Sequence, residues 1–172
     1  MHRSKSIGVA AALSAGLLAP LALPLATASA KPRAHAASSH HARNNEGYVG
    51  TTSQKSGKLA LPADLRSSRN GKAVSRFDLE WIATCQDKSS LTGLSISLNK
   101  AISSSGHFSS SNSFKENTAS GGSATFGVSL AGYFNRPNLA TGTFDIKITY
   151  ADKSGKTTNS CDSGKVTWSV TP

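Results

Sequence analysis

The sequence predicts an all-β fold: an antiparallel two-sheet sandwich of about seven to nine strands, Greek-key or jelly-roll in connectivity, with a barrel as the alternative. Three observations lead there. From Gly47 onward apolar residues recur at every second position, the period at which strand side chains alternate between faces. Asn70-Gly71, Gly121-Gly122 and Asp152-Lys153-Ser154-Gly155 punctuate these runs with residues that accept the positive φ of tight hairpin turns. The positions between the apolar ones are polar, so each sheet has one face to bury and one to hydrate, which two packed sheets satisfy.

The chain of 172 residues divides into three parts. Residues 1–30 have the layout of a secretory leader: a basic start with Arg3 and Lys5, an uncharged apolar stretch from Ile7 to Leu25, and Ala28-Ser29-Ala30 as a small-residue cleavage site. Pro20 and Pro24 argue against a spanning helix. Cleavage would remove Arg3 and Lys5 and leave a basic protein, secreted or associated with the cell wall, in which no further apolar run is long enough to cross a bilayer. Residues 31–46 lack Val, Ile, Leu and aromatic side chains until the domain begins, so they read as a disordered linker. His35, His40 and His41 lie in it without Cys or acidic co-ligands nearby, the composition of a solvated tail rather than a metal site. Residues 47–172 form the domain.

Within the domain the clearest strand is Ala73–Cys85. Phe77, Leu79, Trp81, Ala83 and Cys85 share one parity, and Arg76, Asp78, Glu80 and Thr84 take the other. Leu94, Ile96 and Leu98 alternate with Ser95, Ser97 and Asn99, and a helical turn could end that run. The same alternation runs through Ala124–Phe134, Phe144–Tyr150 and Val166–Val170. Weaker strands are expected near Tyr48–Thr52, Lys58–Leu65 and Phe108–Asn117. Trp81 and Trp168 fall on inward parities and should lie in the core.

The two cysteines, Cys85 and Cys161, have one intramolecular pairing open to them, and export would carry them into an oxidising compartment. A disulfide between them is the expectation. A reactive thiol would need a resolving partner or base, and no Cys-x-x-Cys occurs.

Catalytic chemistry finds little support. His107 is the lone histidine of the domain, and no Gly-x-Ser-x-Gly elbow accompanies it. Asp78 and Glu80 stand two apart on one strand face, a spacing compatible with the carboxyl pair of a glycoside hydrolase, but Arg76 shares that face and favours both as carboxylates. Asp87, Asp152 and Asp162 are candidate oxygen ligands for calcium, without the Asp-x-Asp-x-Asp spacing of a dedicated loop. No phosphate loop or dinucleotide fingerprint is present, and neither cofactor nor metal is expected.

Charge carries the one functional signal. The chain holds 19 Lys and Arg against 9 Asp and Glu, a net +10. Lys55, Lys58, Arg66, Arg69, Lys72 and Arg76 cluster in sequence against Asp64 alone. Such a surface concentrates anionic partners, an effect that weakens with salt. Anionic cell-wall polymer or polysaccharide fits better than nucleic acid, because no stacking aromatics interleave with these cations. Tyr133, on an outward parity, is a candidate sugar platform.

Trp81-Ile82-Ala83-Thr84-Cys85, Gly106-His107-Phe108, Gly132-Tyr133-Phe134, Ala140-Thr141-Gly142-Thr143-Phe144 and Cys161-Asp162-Ser163-Gly164-Lys165-Val166-Thr167-Trp168 together resemble functionally uncharacterised small secreted β-sandwich proteins of actinobacteria and related soil bacteria. The resemblance spans about Gly47 to Val170. It implies the fold and the disulfide pairing and assigns no activity. The expected function is therefore a secreted, non-enzymatic module that binds anionic or glycan polymers. A secreted hydrolase of glycans or esters and a structural coat or matrix protein are the alternatives.

Overall fold

The computed structural model describes residues 40–95 and 99–172. The expected leader, residues 31–39 of the expected linker with His35, and Ile96 and Leu98 lie outside the described residues. Ten strands follow one another: β1 (Gly47–Ser56), β2 (Leu59–Ser67), β3 (Ala73–Cys85), β4 (Ser90–Ser95), β5 (Lys100–Ala101), β6 (His107–Asn117), β7 (Ser123–Arg136), β8 (Leu139–Ala151), β9 (Thr157–Asp162) and β10 (Val166–Thr171). Every pairing is antiparallel, and the described residues contain no helix.

The expected two-sheet sandwich needs correction. The order β10-β1-β2-β3-β9-β8 closes on itself through a β10–β8 pairing, which makes a six-stranded barrel. Strands β7 and β6 extend the sheet from β8, and β4 and β5 pair with β3. The closure comes from strands that change partners along their length. In β8, Ala140–Phe144 pair with β10 and Lys147–Ala151 pair with β9. In β3, Val74–Leu79 pair with β2, whereas Thr84 and Cys85 pair with β9. Period-two patterning demands only one buried face per strand, and a closed barrel buries that face as well as a sandwich does.

The inward parity of β3 is buried from Phe77 to Cys85, and Val166, Trp168 and Val170 of β10 join it. Four strands meet in one row, Trp168–Gly142–Gly132–Phe108, each pair directly in register. A side chain at Gly142 would run into the Trp168 indole, and one at Gly132 into the Phe108 ring. The two glycines thus provide a bare floor on which the rings lie, with centroids 6.1 Å apart. Glycine in a strand interior weakens it unless something needs the space; here two aromatic rings need it. Phe77 completes the cluster 4.9 Å from Trp168.

The same logic corrects the expectation for Leu94. Gly93, not Leu94, faces inward opposite Trp81, because a side chain at 93 would occupy the indole's place. Leu94 lies opposite Glu80 and is 69% exposed.

Where ladders end, side chains replace the missing backbone partners. Between Leu79, the last β3 residue paired to β2, and Thr84, the first paired to β9, the Gln54 amide donates to the Ile82 carbonyl at 2.7 Å and accepts from its N–H at 2.9 Å. The Ser163 hydroxyl accepts from the Ile146 N–H at 3.0 Å between the β9 and β10 segments of β8. Buried or half-buried backbone groups left without partners would cost about 1–3 kcal/mol each.

Candidate functional site: a basic pole

The strand directions bring the start of β1, the end of β2, the starts of β3, β6 and β8 and the end of β7 to one end of the barrel. Tyr48 plugs that end. Its side chain is fully buried and packs edge-on against Phe134 at 5.5 Å. Its hydroxyl donates to the Pro137 carbonyl at 2.7 Å and accepts from the Arg43 N–H at 2.8 Å. Burial, foremost, pushes the phenol above its ordinary value. Ser67, also buried, donates its hydroxyl to the Arg43 carbonyl at 2.6 Å and accepts from the Glu46 N–H at 2.8 Å. Ile102 N–H donates to the Lys72 carbonyl, and Lys100 pairs with Val74. These bonds tie the segment before β1, the β2–β3 turn, the β5 region and the β7–β8 turn into one surface.

That surface is cationic. Arg43, Arg66, Arg69, Lys72, Arg76, Lys100 and Arg136 are all exposed on it. Glu46 is the one acidic side chain in its loops, and Asp64 and Asp78 lie beside Arg66 and Arg76 on the strands. Among the described residues the ion pairs are Arg76 with Asp78 and Lys147 with Asp162. Six of the seven cations at the pole therefore have no carboxylate partner. Arg66 and Arg76 are direct cross-strand neighbours, with Arg76 held by Asp78 and with Asp64 in the same depression.

The sequence cluster is partly dispersed by the fold. Arg66, Arg69, Lys72 and Arg76 belong to the pole, whereas Lys55 and Lys58 sit at the β1–β2 turn. The ten residues of β1 separate the two places by roughly 30 Å. Arg43, Lys100 and Arg136 are functional candidates that the sequence did not single out. They are far apart in the chain, and Arg43 stands in the expected linker, whose residues 40–46 lie against the barrel with Ala42 in the core.

The other candidates take separate positions. Tyr133 is half-buried, with His107 and His40 rings at 4.5 Å and 5.7 Å and its hydroxyl 3.1 Å from His40 Nδ1. Asp78 faces Asp64 across the ladder in a shallow depression of about 270 Å³ with Val49, Arg66 and Arg76. Glu80 lines a different one of about 430 Å³, with Leu61, Trp81 and Leu94. The two carboxylates proposed as a hydrolytic pair thus open onto different depressions. Asp87 and Asp152 accept from the hydroxyls and N–H groups of Ser89 and Ser154, which hold both carboxyls below the usual range. Asp162 accepts from the Gly164 N–H. Each of the three is used in its own turn. Cys85 and Cys161 are joined by a disulfide, directly opposite each other in the β3–β9 ladder.

Among the described residues no helix is long and apolar enough to cross a membrane. Comparison of the chain with known protein families, curated proteins and solved structures finds no match.

Proposed function

We propose that the protein is a non-enzymatic binding module for anionic polymers, working outside the cell, and that the basic pole is its contact surface. One observation carries this reading: cations from several separate chain segments converge on one end of a rigid barrel, six of them without a carboxylate partner. Converging unpaired cations raise the local concentration of a polyanion and bind it through many weak, salt-screened contacts. The leader-like N-terminus and the disulfide support an extracellular setting. A hydrolase is less well supported, since Asp78 and Glu80 do not share a cleft and His107 stacks on Tyr133.

The test is retention on an immobilised acidic polysaccharide, with neutral dextran as control, across a salt gradient. The protein should be held at low salt and released as ionic strength rises. Arg69→Glu, Lys72→Glu and Arg136→Glu together should bring elution to markedly lower salt. Lys55→Glu with Lys58→Glu, at the far end, should shift it much less. Equal shifts from both sets, or retention indifferent to salt, would refute the pole as the contact.

A further inference from the structure

Barrel closure removes sheet edges, yet the extension beyond β8 ends in one long free edge, β6. Among the described residues no strand pairs with the side of β6 that faces away from β7. Natural edges of this kind are blunted by proline, by bulges, by shortness or by runs of charge. Strand β6 has eleven residues, no proline, and one Lys and one Glu. Its ladder with β7 runs through eleven consecutive pairs without a register shift, while the β1–β2, β2–β3, β7–β8 and β8–β9 ladders all contain one. The edge is therefore regular; Ser103 covers it at His107, and from Ser109 to Asn117 Lys115 and Glu116 are its only charges. It also presents an apolar group: Phe114, 43% exposed, stacked parallel on Phe126 at 4.8 Å.

We infer that β6 is the interface for a second copy of this chain, which adds edge to edge in antiparallel sense about a two-fold axis through Phe114. A two-fold axis normal to the sheet keeps each face on its own side, so directly opposed residues must share parity. Centring on Phe114 satisfies this for Ser111–Asn117. It sets Phe114 against Phe114, Lys115 against Ser113 and Asn112 against Glu116 of the second copy, with no like charges opposed. The four rings of Phe126, Phe114 and their counterparts form one row across the junction. Charge allows a second copy here. In a chain of net +10, β6 balances its single Lys with a single Glu, so two copies meet there with little repulsion. The antiparallel arrangement also turns the two basic poles to opposite ends, because β6 begins at the pole and ends away from it.

Sedimentation velocity on the purified protein at micromolar concentration tests this. The expected result is a dimer for the wild type and a monomer with unchanged circular dichroism for Phe114→Lys, which opposes two ammonium groups on the axis. Phe114 is exposed enough that the variant should fold. A second variant, Ser113→Lys, should also weaken the dimer by setting two lysines at 113 against Lys115 of the other copy. A monomeric wild type would overturn the inference, and so would a dimer that both variants leave intact. Either outcome is distinct from the fate of polymer binding, since a monomer retains its own basic pole.

Discussion

Tyr48 shows how one residue holds the candidate site together. Its hydroxyl serves two backbone groups at once, one in the segment carrying Arg43 and one in the turn beside Arg136. Tyr48→Phe should cost about 1–3 kcal/mol in urea denaturation at neutral pH, because an N–H and a carbonyl lose their partner. The pH dependence follows from the raised phenol: its contribution is complete below the unfolded tyrosine value near 10 and is lost as pH rises through the higher folded value. The wild type should therefore lose this part of its stability in strong alkali, and Tyr48→Phe should lack that part of the loss. A variant with the same alkaline profile as wild type would show that Tyr48 is not its source. Glycine offers a second contrast at this scale. Gly142→Ala should cost about 1–3 kcal/mol by forcing a methyl against the Trp168 indole and the Ala131 carbonyl. Gly127→Ala, whose nearest obstacle is the Lys147 carbonyl at 3.9 Å, should change stability by less than about 0.5 kcal/mol. Equal losses at both sites would mean that ring space is not what Gly142 supplies.

The shortest ladder in the closed ring is β3 to β9. Two residue pairs make the whole ladder, and one of them is the disulfide. Gln54 and Ser163 patch the neighbouring gaps with side-chain hydrogen bonds, which are less extensive than a strand. The bridge closes a loop of 76 residues, worth about 4 kcal/mol in the chain-entropy account. Cys85→Ala with Cys161→Ala should lose about that much. Amide exchange should quicken first in Thr84, Cys85 and β9, before it does in β1 and β2. An even rise across the whole barrel would show that the bridge does not act at this joint in particular. The pairing of the two cysteines was legible because only one partner was available to each. Its place as the seam of a barrel was not, since nothing local marks Thr84 and Cys85 as the residues where β3 exchanges β2 for β9.

At the scale of the molecule, closure and charge are coupled. A barrel gathers alternate strand ends at each pole, so cations from Arg43 to Arg136 become neighbours despite a separation of more than ninety residues. The salt-dependent retention expected of the pole is a property of that gathering, which is why the charge reversals combine Arg69, Lys72 and Arg136 rather than following the chain. Closure also dictates where the sheet is left open. The dimer inferred through β6 exists as a possibility only because β7 and β6 overrun the closed ring, and Phe114 is exposed for the same reason.

From the sequence alone came the all-β class, the inward set of β3, β8 and β10 with both tryptophans, and the cysteine pairing. Each rests on local information: parity states which side chains leave water, and two thiols have one match. Tertiary structure decided the barrel over the sandwich, the outward turn of Leu94, the anchoring of residues 40–46 and the membership of the basic pole. These depend on which strand neighbours which and on where a strand changes partner. Apolar periodicity is indifferent to that choice, because any arrangement that hides the same face lowers the free energy by a similar amount.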